Sequence, residues 1–83
     1  MDKKMQDIIE MLEIVTGDTS VPKNIRKALT EARDKLKSND DLPVKVSSAV
    51  YSLDSVSEDI NMPMHARTQI WTILSALEGI KTE

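Results

Sequence analysis

"SVPKNIRKALTEARDKLK", residues 20–37, decides the fold. Val21, Ile25, Ala28, Leu29, Ala32 and Leu36 recur at steps of three and four. On a helix of about 3.6 residues per turn they form one apolar stripe over four turns, with polar residues between. The stretch opens on Ser-Val-Pro, and the same kind of opening returns as Asp41-Leu-Pro43 and Asn61-Met-Pro63. Each holds a residue with a side-chain oxygen, then an apolar residue, then proline. The oxygen of Ser20, Asp41 or Asn61 suits an orphan N–H of a first helical turn. Proline fits there because its missing N–H has no helical partner. Asp18, Asp40 and Asp59 precede the three starts and suit the positive end of a helix dipole. One helix-start cassette therefore recurs about every 20 residues, far short of a two-helix solenoid period.

The remaining segments follow the same period. Met5, Ile8, Ile9, Leu12 and Val15 form a stripe between Asp2 and Thr16, and Gly17 stands where a helix C-cap belongs. Leu42, Val46, Ala49, Val50, Leu53 and Val56 form the third stripe. Leu42, Val44 and Val46 alternate briefly, as a strand would, but the alternation stops there and Pro43 suits a central strand badly. Met62, Ala66, Ile70, Ile73, Leu74, Leu77 and Ile80 form the fourth, with Gly79 and Ile80 placed for a Schellman ending. The connections "GDTS", "SNDD" and "SEDIN" are short, which joins antiparallel neighbours. The expected architecture is an all-α, antiparallel four-helix up-and-down bundle. It forms one domain over residues 1–83, with helices near 2–16, 21–37, 42–57 and 62–79.

Composition narrows the chemistry. Of 83 residues, 40% are hydrophobic and 30% charged, a globular balance. With Tyr51 and Trp71 the only aromatic residues, the core must be aliphatic. The absence of cysteine excludes disulfides, thiolate catalysis and cysteine zinc sites. No apolar run approaches the roughly 18 residues of a membrane span. Asp7, Glu10 and Glu13 interrupt the apolar N-terminal stretch, which a signal peptide would not tolerate. A cytoplasmic protein is expected. A net charge of −3 argues against general nucleic-acid binding.

"SVPKNIRKA", "LPVKVSSAVYSLD" and "NMPMHARTQIW" together resemble a family of small archaeal proteins known as uncharacterised protein family 0147. The resemblance spans nearly the whole chain, and "MPMHARTQIW" is its most specific part. It implies a compact helical bundle and carries no catalytic, cofactor or binding residue with it.

Candidate sites therefore rest on the residues themselves. His65 is the chain's single histidine. A metal needs three or four ligands and a nucleophile needs a partnered base, and no spacing here supplies either. Ser47 and Ser48 make no triad with it. Neither an enzyme, a metal nor a cofactor is expected. On helix two, Lys23, Arg26, Arg33 and Lys37 fall within an arc of about 80° opposite the apolar stripe. They form a candidate face for anions or nucleic acid, with an ordinary solvated face as the alternative. On helix four, Met64, Arg67, Trp71 and Glu78 share a flank off the core stripe. Arg67 is placed to lie on the Trp71 indole. Met, Arg and Trp are enriched at interface centres, so this flank is the candidate protein interface. The alternative is that Trp71 closes a groove between helices. Met11 and Ile14 also leave the stripe of helix one. The expected function is association with a protein partner or a second copy. A nucleic-acid accessory role through helix two is the rival.

Overall fold

The computed structural model describes residues 3–80. Its elements are α1 (Lys3–Thr16), α2 (Lys23–Leu36), α3 (Leu42–Asp54) and α4 (Met64–Glu78), and no strand occurs among the described residues. Every apolar stripe read above faces a common aliphatic core. Leu12, Ile25, Leu29, Ala32, Leu36, Ala49, Leu53, Ala66, Ile70, Ile73 and Leu77 are completely shielded from solvent. Each helix packs on its chain neighbours, and α1 closes the ring on α4. The chain runs up and down. Asn24 meets Asp59 and His65 meets Asp18 at one end. Lys45 reaches the Ser38 carbonyl, and Lys4 reaches Gly79, at the other.

The helix starts differ from the cassette's expected chemistry. No side-chain cap bond is made at α2, α3 or α4. The N-caps of α2 and α4 are Pro22 and Pro63 themselves, both extended. A residue before proline is disfavoured in the α region, and Val21 and Met62 both stay outside their helices. These helices begin two residues later than expected, and Ser20 and Asn61 cannot cap them. The acids serve instead. Asp18 Oδ1 accepts the Ser20 N–H, and Asp59 Oδ1 accepts the Asn61 N–H, both at 2.9 Å. Each closes an Asx turn before the proline. In α3, Asp41 is the N-cap by position, and Pro43 lies in the first turn.

The helix ends differ too. Neither Gly17 nor Gly79 takes a positive φ, so neither forms the left-handed cap read from the sequence. Gly79 is right-handed at φ −82°, and the Ile80 N–H bonds to the Leu77 carbonyl. Helix α3 stops at Asp54, short of residue 57. The hydroxyls of Ser55 and Ser57 bond back to the carbonyls of Ser52 and Asp54, and the N–H groups of Val56 and Ser57 bond to the carbonyls three residues back, Leu53 and Asp54, in 3₁₀-type turns.

The cassettes resolve into two alike and one apart. A shift of 41 residues carries Asp18 onto Asp59, Pro22 onto Pro63, Arg26 onto Arg67 and Leu36 onto Leu77. Within the first and third helices it carries Leu12 onto Leu53 and Val15 onto Val56. The equivalent core positions are buried in both halves, Leu29 with Ile70 and Ala32 with Ile73 among them. The loops also exchange bonds. Asp18 Oδ2 takes His65 Nε2 at 2.7 Å, and Asp59 Oδ2 accepts from Asn24 Nδ2 at 3.2 Å. Asn24 and His65 both stand two residues after their proline. The molecule is thus two helical hairpins of one inner design, linked reciprocally at the loop end.

Candidate functional site

The two hairpins differ on the outside. Along α2 the solvent side carries Lys23, Lys27, Glu31, Asp34 and Lys37. At the equivalent positions α4 carries Met64, Thr68, Thr72, Ser75 and Glu78. From Thr68 to Leu77 that helix has no charged residue. The exposed large apolar residues follow the same division. Val44, Tyr51, Ile60, Met64 and Trp71 belong to the second hairpin, and only Ile14 belongs to the first.

Met64 and Trp71 stand two turns apart on one line of α4, 83% and 53% exposed. Trp71 is therefore a surface residue and does not close an interhelical groove. Thr68, Thr72 and Ser75 are exposed beside it. Against this face, Met11 and exposed Ile14 of α1 form an apolar groove of about 160 Å³ with Thr68, Gln69 and Thr72. The Gln69 amide oxygen is buried and without a partner among the described residues.

Arg67 takes a different course from the rest of its flank. It is half-buried, and Nη2 donates to the Asp59 carbonyl at 3.1 Å. Side chains on a helix lean toward its N-terminus, so the guanidinium turns to the loop and away from Trp71, one turn later. It braces the start of α4. Glu78 is exposed at the far end of the helix. Met64 and Trp71 thus form the centre of the face, with Arg67 behind one edge.

The basic arc of α2 is partly occupied. Arg33 donates Nε and Nη2 to Asp34 Oδ1, at 3.3 and 3.1 Å. Lys37 lies 3.9 Å from Glu13. Arg26 is half-buried, with Nε shielded from solvent. Lys23 stands exposed. Acids within reach of two of its four cations weaken the arc as a phosphate track.

His65 meets serine and aspartate, though not Ser47 or Ser48. Its Nε2 lies 2.7 Å from Asp18 Oδ2 and 3.4 Å from Ser20 Oγ. Acyl-transfer triads set serine and carboxylate on opposite ring nitrogens. Here one nitrogen faces both, and Ser20 Oγ already donates to Asp18 Oδ1 at 2.6 Å. The cluster is a brace between α4 and the α1–α2 loop. The Ser20 hydroxyl, then His65, then the Ser20 N–H hold the Asp18 carboxyl down at about 2, from 3.8. Among the described residues, no group of three or more His, Asp or Glu is placed to hold a metal ion. No described helix is long and apolar enough to cross a membrane.

Sequence reasoning passed over Tyr51, Val44 and Ile60. For Tyr51 the available signal was the uncharged run from Val46 to Leu53. It also missed the crossed bonds of Asp18 and Asp59, for which the 41-residue shift was the signal.

Comparison with other proteins agrees with the fold. The model of an uncharacterised protein family, UPF0147, matches residues 1–80. The UPF0147 protein of Thermococcus kodakarensis is 45% identical over 83 residues, covering 98% of this chain and 100% of that one. That of Archaeoglobus fulgidus is 37% identical over 81 residues, covering 98% and 93%. A crystal structure of a protein of unknown function superposes with a TM-score of 0.90 at 48% identity, covering 94% of this chain and 90% of that one. A crystal structure of a UPF0147 protein from Thermoplasma acidophilum gives 0.89 at 31% identity, covering 95% and 94%.

Proposed function

The chain belongs to the uncharacterised protein family UPF0147, and from that premise we propose that it is a non-enzymatic protein that works by protein association through the outer face of α4. One observation carries this. Trp71 and Met64 are exposed together on a face of α4 that has no charged residue from Thr68 to Leu77, in a chain that is 30% charged. Interface centres are depleted of charge and enriched in Trp and Met. An isolated exposed apolar residue needs no explanation, whereas a grouped set signals a contact. Ile14 extends the set across the groove to α1.

Site-resolved photo-crosslinking tests this. A photoreactive residue replaces Met64 in one variant and its counterpart Lys23 in another. Each is expressed in an archaeal host. Protein adducts at position 64 and none at 23 are expected. Equal adducts, or adducts at 23 alone, overturn the proposal. Adducts to nucleic acid at 23 that vanish with salt would move the working face to α2.

A further inference from the structure

We infer that Met64 is a reversible oxidation site, and that its sulfoxide switches off the association face of α4. The switch rests on the association face proposed above, whereas the selectivity of the oxidation rests on burial.

Burial sorts the methionines. Met5 and Met62 are 4% and 5% exposed within the aliphatic core, and Met11 is partly buried against it. Met64 is 83% exposed. The chain has no cysteine, so no thiolate competes for an oxidant. Hydrogen peroxide reaches the Met64 thioether on the folded chain, and reaches Met5 and Met62 only when the fold opens. The sulfur attacks one peroxide oxygen with a lone pair. The O–O bond breaks as the S–O bond forms, and the departing hydroxide takes the proton of the transferred oxygen and leaves as water. Sulfur gives up two electrons and the peroxide takes them.

The fold accommodates a sulfoxide at this position. Met64 begins α4, whose N-cap is Pro63 and which makes no side-chain cap bond. The negative end of the S–O dipole therefore meets the positive end of a helix. Its counterpart 41 residues earlier is the exposed Lys23, so a hairpin of this design already carries a polar side chain at the same place. Oxidation of Met64 thus leaves the core intact and turns an apolar side chain of the face into a polar one. The same reaction at Met5 or Met62 would set an unpartnered polar group in the core. Methionine sulfoxide reductases restore the thioether, which makes the change reversible.

The test has two parts. Purified chain is treated with hydrogen peroxide, the reaction is stopped with catalase, and the peptides bearing Met5, Met11, Met62 and Met64 are followed by mass spectrometry. Met64 sulfoxide should form at least about tenfold faster than that of Met5 or Met62, with helical circular dichroism unchanged. Equal rates, or unfolding in step with Met64 oxidation, overturn the site. For the switch, a photoreactive residue replaces exposed Thr68, one turn along the face. Crosslinking is done in dialysed host extract, which lacks the reductant for the reverse step. Protein adducts should fall at least about tenfold on oxidation. Met64→Leu, apolar and without a sulfur to oxidise, should keep its adducts after peroxide. Met64→Gln, polar and of similar length, should lose them without peroxide. Adducts that persist on the Met64 sulfoxide overturn the switch and leave the association face standing. No adducts at 68 on the unoxidised chain, with none at 64, overturn the association face and the switch together.

Discussion

The two hairpins place the same kinds of side chain inside and different kinds outside. Leu12 and Leu53, Leu29 and Ile70, and Leu36 and Leu77 occupy matching buried positions. On the outside Lys23 becomes Met64, Lys27 becomes Thr68, Thr30 becomes Trp71 and Asp34 becomes Ser75. The buried side is constrained by packing, and a lost methylene there is felt in the stability of the whole. The solvent side is free of that constraint. Where it departs from charge, packing in the core does not dictate the departure. The first hairpin carries a charged outer face along α2, and the second carries an uncharged one along α4 from Thr68 to Leu77.

The largest effect should come from the shared interior. Leu12→Ala and Leu53→Ala each remove a fully buried side chain and should cost about 2–5 kcal/mol in urea unfolding. Similar values would confirm the common inner design, and a negligible loss at either would break it. The outer faces should then part company. Met64→Glu should weaken association at least about tenfold while changing stability by about 0.5 kcal/mol or less. Lys23→Glu, its counterpart, should change neither. The crossed bonds at the loop end come next. Asn24→Ala and His65→Ala should each cost about 1 kcal/mol or less, because both links are exposed. Unequal losses would show that one loop carries the brace.

The smallest effect is on pH. Asp18 titrates at about 2 when folded, against 3.8 ordinarily. Its contribution is complete above the higher value and lost as pH falls through the lower. Asp18→Asn should therefore flatten the acid side of the stability curve between about pH 4 and pH 2. An unchanged curve would mean that the carboxylate holds no partner in solution.

The four helices and nearly all of the core were legible, because a period near 3.6 survives in every stripe from Met5 to Leu77. The starts were misread by two residues at α2 and α4. At Val21 and Met62 the pre-proline restriction acts together with the Asx turns of Asp18 and Asp59, and the two outweigh the capping chemistry of Ser20 and Asn61. The cassette at Asp41 looks the same in sequence, yet it has no Asx partner and no crossed bond. That distinction lies in the tertiary arrangement. The prominence of Met64 and Trp71 followed from their angle on the helix. The course of Arg67 did not, since it is set by the Asp59 carbonyl, eight residues back and in the loop.

Trp71 is the chain's only tryptophan, so a fluorine on its indole reads the proposed contact directly. The measurement is the fluorine NMR line of fluorotryptophan-labelled chain in host extract against buffer. The account predicts a line that broadens in extract, as a partner covers the indole, and that stays sharp in Met64→Glu. A line that is the same in extract and buffer, or that broadens equally in Met64→Glu, would contradict the assignment of Trp71 to the association face.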